Sequence, residues 1–461
     1  MEQLDVNIVH ELVNNLGHEA TKLLGLMQGL SSSLFTKQHY KYLEHCIEVN
    51  RNIPTFHLIP KIHKTPMAGR PIVPSHSWLT TGFSVWLDTV LQKVLPHRSY
   101  IIKDTTSLIH RLEGLTLPSK TPIWFITGDV TSMYTNIPTN EKTFDMICTY
   151  IGEQLDLTSQ DQSILIRVLS FIMMNNFFTF NDKLYRQING VAMGTSCAPA
   201  LANIFMYITE LAYFEDIIES GLPSPVFYGR YIDDIICIYA GSKYHMDNFV
   251  ADFDYYRSYS AELKINWIIS ATSAEFLDLV ISQNKSGKIH LAPHQKLLNK
   301  YLYVPFCSYH PKDSKTGFIK AELIRYIRNS SSEHEFTIIA KRFFYRLRVR
   351  GYPPRYLIWV FSKVFYSRRS QYLKSSSAAS DNNLVPFVTQ YNPVWEIPKF
   401  RTGLNIFRDH TAKYRTTVAF RRNRNLMDAI NASNSRKLRC KLVRTRLGSD
   451  IRWTGIKKRH H

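Results

Sequence analysis

The chain has 461 residues, 44% of them hydrophobic and 13% aromatic, which excludes a disordered protein and calls for roughly two to four subdomains rather than one core. Its six cysteines are scattered with no CxxC pair, which excludes a disulfide scaffold or zinc ribbon and points to a reducing compartment. The formal charge of +20 is segregated: residues 341–461 hold 28 of the 57 Lys and Arg but 5 of the 37 Asp and Glu, so that segment carries +23 and the remainder −3. A concentration of cations on this scale favours a polyanionic partner, nucleic acid ahead of an anionic membrane.

In chain order, residues 1–50 place Leu12, Leu16, Leu23, Leu24, Met27, Tyr40, Leu43 and Ile47 at helical spacing, which predicts two helices. No apolar run opens the chain, so no signal peptide is expected. Residues 51–75, rich in proline, suit short strands and turns. Helical spacing returns in WLTTGFSVWLDTVLQKVL (78–95), and PIWFITGDV (122–130) is a buried strand ending in an acid. Residues 158–180 and 199–219 are expected to be helices; the apolar window SILIRVLSFIMMNNFF is too short, and too interrupted by Arg167, Asn175 and Asn176, to span a bilayer. VFYGRYIDDIICIYAG (226–241) predicts two strands with a turn near Asp233. Residues 264–295 predict three more, with a hairpin at 284–287. Helices should dominate 311–370, SSSAASDNN (375–383) is a linker, and a strand-like FVTQYNPVW precedes the basic tail.

The adjacent Asp233 and Asp234, flanked by apolar residues, pose an electrostatic problem, since an unpaired buried charge is costly. An Asp-Asp pair alone more often marks an exposed turn or helix cap. If the strand ending at Asp129 is a neighbour of the strand before Asp233, however, the carboxylates converge. They then become tolerable with divalent cations between them: Mg²⁺ takes one or two carboxylates together with substrate phosphates, and two such ions about 3.5–4 Å apart activate a hydroxyl and stabilise a leaving pyrophosphate.

At this point the motifs carry a resemblance. GDVTSMYTNIP (128–138), NGVAMGTSCAPALANIF (189–205) and RYIDDI (230–235) resemble successive palm motifs of the reverse transcriptases of Penelope-like retroelements. PTFHLIPKIHKTPMAGRPIVP (54–74) is similar to that family's fingers. EFLDLVIS (275–282) and HQKLLNKYLYVPF (294–306) resemble the next palm strand and the primer grip, and HPKDSKTGFIKAELIRYIRNSS with RLRVRGYPP resembles the thumb. FVTQYNPVW and FRRNRNLMDAI fit the end of the polymerase core. The resemblance covers residues 50 to 430 and implies an α+β right-hand polymerase: an N-terminal helical segment (1–50), fingers and palm (51–290), primer grip and helical thumb (291–374), linker (375–383) and basic extension (384–461).

The resemblance also implies roles. Asp129, Asp233 and the Val130 carbonyl would hold two Mg²⁺ or Mn²⁺ ions, with Asp234 a supporting carboxylate. Tyr134 would be an aromatic gate against a 2′-hydroxyl, with a core aromatic as its bland alternative. Arg70, assisted by Lys61, would contact the incoming triphosphate. Gly190, Met193 and Gly194 would form a loop against the template and nascent base pair. Lys341, Arg342, Arg346, Arg348 and Arg350 would hold the template–primer backbone, while Phe343, Phe344 and Tyr345 serve as thumb core or duplex contact. The expected partners are an RNA template, a DNA primer and dNTP, with no membrane, in the nucleus or cytoplasm. Residues 431–461 show no GIY-YIG nuclease motif, and residues 1–50 lack the family's basic fingers motif, as expected of an amino-terminally truncated copy. Two alternatives remain: a catalytically inactive or domesticated nucleic-acid-binding protein with the same fold, and an RNA-synthesising polymerase, which Tyr134 disfavours.

Overall fold

In the computed structural model, which describes residues 2–61, 68–95, 100–118, 120–258, 263–296, 299–374, 384–390 and 415–421, the chain divides into two units. The first comprises residues 1–301 and 325–342, the second residues 302–324 and 343–461. The expected linker and most of the basic tail lie outside the described residues.

The first unit is α+β. It opens with β1 (Glu2–Leu4), α1 (Val9–Met27) and α2 (Lys37–Val49), the two expected helices, followed by the hairpin β2 (His57–Lys61) and β3 (Ala68–Ile72). Next come α3 (Thr81–Val94), α4 (Thr105–Glu113), β4 (Ile123–Val130), α5 (Met133–Asn136), α6 (Glu141–Leu155) and α7 (Ser159–Met174). Then follow β5 (Phe177–Phe180), β6 (Lys183–Arg186), α8 (Ala198–Glu219), β7 (Phe227–Tyr231), β8 (Asp234–Ala240) and α9 (Lys243–Ser258). The strands β9 (Ile265–Ser270), β10 (Ser273–Phe276), β11 (Leu279–Gln283) and β12 (Ile289–Pro293) complete the run.

Two expectations are corrected. Residues 158–180 are not one helix: α7 stops at Met174, the Asn175 side chain turns back to the Phe171 carbonyl, and Phe177–Phe180 pairs with β6 as a strand. The apolar run carries on through the break, so periodicity alone does not reveal it. Residues 264–295 form four strands rather than three, because Leu277 takes a left-handed φ of 52° and splits one expected strand into β10 and β11. The turn at 284–287 is as expected, with the Asn284 carboxamide oxygen accepting from the Ser286 and Lys288 amides.

The central sheet has the order β7-β8-β4-β9, every neighbour antiparallel. Its middle strands are buried on both faces: Phe125 and Ile126 of β4 and Ile235 to Ile238 of β8 are at most 1% exposed, which is why both read as near-continuous apolar runs. Helix α8 is buried along most of its length and packs against α3, α6 and α9. One hydrophobic cluster joins α1, α3, α6, α7 and α8 to the sheet. Separate sheets are formed by β10-β11-β12, β1-β6-β5 and the β2–β3 hairpin.

The second unit contains α12 (Pro354–Phe361) and α13 (Arg369–Leu373), while α10 (Lys312–Arg328) and α11 (Glu333–Val349) each have one part in either unit. An aromatic core of Tyr303, Phe306, Phe343, Tyr352 and Phe361 holds the second unit. The Lys315 ammonium donates to the Phe306 and Ser308 carbonyls at 2.7 Å each. Strands β13 (Leu384–Gln390) and β14 (Arg415–Arg421) pair in parallel.

The ladder between β4 and β9 leaves no room at Gly128, where an added Cβ would lie 2.7 Å from the Trp267 ring. That ring cannot swing freely, since its indole N–H donates to the Asp254 carboxylate at 3.0 Å. Gly128→Ala should therefore destabilise the protein by about 1–3 kcal/mol, read from urea denaturation, and Trp267→Ala should recover part of that loss. Equal stability of Gly128→Ala and wild type would mean that β9 yields at this point.

Candidate active site

The register of the central sheet sets Asp129, the penultimate residue of β4, directly across from Asp234, the first of β8. Between β7 and β8 the chain reverses through Ile232 and Asp233, with the Ile232 φ at 58°. A β-branched residue is strained in that region, by roughly 1–3 kcal/mol. The Val130 amide donates to the Asp233 carbonyl at 3.0 Å and closes the reversal onto the end of β4.

The two adjacent acids face different spaces. Asp233 lines a cavity of about 720 Å³ with Lys61, Arg70, Asp129, Val130, Tyr134, Met193 and Gly194. Asp234 lines a second cavity, of about 600 Å³, with Asp104, Glu275, Asp278, His294 and Lys296. Asp129 and Asn266 border both. Asn266, which is Asp129's neighbour in β9, also donates to the Thr131 hydroxyl at 3.0 Å; nothing in its sequence context marked it out.

Burial, with Asp129 adding repulsion, raises the Asp233 carboxyl above the ordinary range, while its own backbone, Arg70 and Lys61 pull the other way. Burial, followed by repulsion from Asp233 and Asp129, pushes Asp234 up to about 6. Burial also raises the Tyr134 phenol, Asp233 adds to the shift, and Arg70 opposes it. The electrostatics thus tie Arg70 and Lys61, from the β2–β3 hairpin, to an acid of the central sheet.

Two glycines fix the wall of the first cavity. Gly190 has φ 77° and packs on the Thr135 backbone, where a side chain would collide. Its neighbour Val191 donates to the Tyr134 carbonyl at 2.6 Å, so this loop seats the segment carrying Tyr134. Gly190 is buried and is not among the lining residues. Gly194 has φ 127° and faces the Val73 carbonyl, and the Val73 amide donates to Met193 at 2.9 Å, which ties the loop to the end of the β2–β3 hairpin.

The five cations expected to grip nucleic acid lie on or just after α11 and are not among the cavity's lining residues. Lys341, Arg342 and Arg348 are exposed, while Arg346 and Arg350 are half-buried. Arg348 donates to the Tyr352 carbonyl at 2.9 Å and Arg350 to the Tyr303 carbonyl at 2.6 Å, so both also brace the second unit. Phe343 is core, whereas Tyr345 is 70% exposed.

Divalent cations suit the first cavity. Among the described residues no three His, Cys, Asp or Glu side chains are arranged to enclose an ion, but two carboxylates that repel one another and open onto a cavity leave coordination places for a substrate's phosphates, as Mg²⁺ prefers. No helix among the described residues is long and apolar enough to cross a membrane.

Residues 69–271 match the family described as reverse transcriptase (RNA-dependent DNA polymerase). The matched region, 203 of the 461 residues, is similar to reverse transcriptase domains, and its antiparallel sheet backed by helices fits the α+β right-hand polymerase class expected from the sequence. Residues 302–360 match the animal helix-turn-helix domain family. No curated protein matches the chain. Among solved structures it is similar to telomerase from Candida albicans in complex with a fragment of telomeric RNA (11% identity, TM-score 0.48, 70% of this chain and 60% of that one). It is also similar to apo telomerase from Candida tropicalis (13% identity, TM-score 0.43, 71% and 60%) and to the BmCPV RNA-dependent RNA polymerase at its elongation state (9% identity, TM-score 0.39, 71% and 28%). The chain spans 60% of the length of each of the two telomerases and 28% of the viral polymerase.

A pH dependence of stability follows from Asp234. Its folded carboxyl titrates at about 6 against an ordinary 3.8, so the folded state binds more protons than the unfolded one between those values, and stability falls as pH rises through that window. Asp234→Asn should flatten the decline, measured by thermal melting from pH 4 to pH 7 without divalent ions. An unchanged slope would place the titration elsewhere.

Proposed function

We propose that the protein is an RNA-directed DNA polymerase of a retroelement, of the Penelope-like type, that adds dNMP to a primer 3′-hydroxyl on an RNA template. The observation that carries this reading is the opposition, within one cavity, of Asp129 and Asp233 to Arg70 and Lys61, with Tyr134 and Met193 on its wall. Paired acids facing paired cations match a nucleoside triphosphate: the cations take its phosphates, and the acids take the divalent ions that accompany it.

In this reading Asp129, Asp233 and the Val130 carbonyl hold two Mg²⁺ or Mn²⁺ ions. When bound, such ions lower the pKa of an attacking hydroxyl and neutralise charge on a departing pyrophosphate. The chain itself orients the reactants. The Arg70 guanidinium, on strand β3, forks onto phosphate oxygens and Lys61 adds a point charge. The Tyr134 ring, on the cavity wall, occupies the space that a ribose 2′-hydroxyl would need. Met193 packs against the base pair being formed, and Gly190 and Gly194 let its loop approach the hairpin and the Tyr134 segment.

Residues 51–290 then act as fingers and palm, 291–374 as primer grip and thumb, and 384–461 as a basic extension joined by the 375–383 linker. Lys341, Arg342, Arg346, Arg348 and Arg350 contribute phosphate contacts, whose affinity falls with salt. The charge segregation supports this arrangement, in a nuclear or cytoplasmic setting.

Primer extension on an RNA template with Mg²⁺ or Mn²⁺ tests the reading. Asp233→Ala and Asp129→Ala should each lower incorporation by roughly 10²–10³-fold or more while circular dichroism stays that of wild type; equal incorporation by wild type and variants would remove the assignment. An inactive wild type that still binds RNA–DNA duplex would favour the non-catalytic alternative. Tyr134→Ala should relax discrimination against rNTP by roughly 10- to 200-fold. An unchanged dNTP/rNTP ratio would return Tyr134 to a packing role.

A further inference from the structure

Beneath the reversal that carries Asp233 lies a buried cation that the reaction does not itself touch. Arg230 of β7 and Glu210 of α8 are both 0% exposed. The guanidinium has five N–H donors, and five bonds are made. Nε and Nη2 donate to the two Glu210 carboxylate oxygens at 2.6 and 3.1 Å. Nη2 and Nη1 donate to the Asn203 carbonyl and side-chain oxygens at 3.1 and 2.8 Å. The remaining Nη1 bond, at 2.8 Å, goes to the carbonyl of Ile232. Tyr228 donates to Glu210 at 2.6 Å. The backbone of Arg230 is fixed as well, by bonds to Tyr100 and Ile102.

Ile232 is the residue whose φ of 58° makes the reversal possible. Left free, a β-branched side chain would draw this residue out of the left-handed region, and Asp233, the next residue, would rotate with it. Hydrophobic burial would serve to pack β7 on α8, and a buried ion pair is a poor source of net stability. The guanidinium supplies what an apolar side chain would not: a charged donor aimed at one carbonyl of the strained turn.

We infer that Arg230, braced by Glu210 and Asn203, is a positioning residue that holds Ile232 in its left-handed conformation and thereby aims the Asp233 carboxylate at Asp129. For its catalytic consequence this inference rests on the polymerase reading; for its geometry it does not.

The test is Mn²⁺ binding to the full chain, followed by electron paramagnetic resonance of the free ion, beside primer extension. Arg230→Met with Glu210→Gln removes the clamp without leaving a buried charge unpaired. Tyr228→Phe removes one bond of the same network and keeps the clamp on Ile232, so it controls for stability. Adding Ile232→Gly to the double variant supplies a residue at home at positive φ. The double variant should bind Mn²⁺ roughly 10- to 100-fold more weakly, Tyr228→Phe should bind at wild-type affinity, and Ile232→Gly should recover much of the loss. Wild-type affinity in the double variant, an equal loss in Tyr228→Phe, or a further loss on adding Ile232→Gly would each overturn the inference. A wild type that binds Mn²⁺ but extends no primer would defeat the polymerase reading alone, since the titration still decides the positioning role; a wild type that binds no Mn²⁺ defeats both.

Discussion

The antiparallel ladder between β4 and β8 brings three carboxylates to one end of a sheet, and much of the first unit is arranged around that conflict. Asp129 and Asp234 are register partners, with Asp233 one residue away. Burial raises both members of the Asp-Asp pair, with repulsion from Asp129 added at Asp233 and repulsion from Asp233 and Asp129 added at Asp234. A fold selected for stability alone would place apolar or singly charged residues here. The surrounding devices hold the acids in place: α8 beneath the strands, the filled hydrogen-bond set of Arg230, and Trp267 pressed against Gly128 and tethered to Asp254.

The two adjacent acids line different cavities. Asp233 belongs to the reversal and Asp234 opens β8, and Asp233 lines the space bounded by Arg70, Lys61 and Tyr134 while Asp234 lines the space bounded by His294 and Lys296. Asp129 serves both. In the proposed reading, Asp233 is the indispensable ligand and Asp234 the supporting one. The β2–β3 hairpin enters this scheme through a main-chain bond, Val73 to Met193, so its position depends on the glycine loop that also seats Tyr134.

The features legible in the sequence were those with local signatures. An apolar run ending in Asp129, a second run interrupted by Asp233 and Asp234, and the turn residues at 284–287 each specify a strand or a reversal from chemistry within a few positions. The strand Phe177–Phe180 was hidden because its apolar residues continue the pattern of α7, and the break depends on where Asn175 turns back. The Leu277 turn was hidden because a leucine at positive φ has no compositional signal. Gly190 was read as part of a loop against the template and nascent base pair, and its φ of 77° and close packing on Thr135 are what the tertiary fold adds to that reading. Arg230 did leave a trace, a cation inside an otherwise apolar strand; its partner Glu210 lies twenty residues earlier on a helix, and only the tertiary fold joins them.

The central claim is that Asp129 and Asp233 hold divalent ions opposite a triphosphate bound by Arg70. It is tested most directly by a structure of the protein with an RNA–DNA template–primer, Mg²⁺ and a non-hydrolysable dNTP. The account predicts metal density between the two carboxylates, the triphosphate against Arg70 and Lys61, and the sugar edge against Tyr134. A nucleotide seated elsewhere, or carboxylates that contact no metal in the assembled complex, would contradict it.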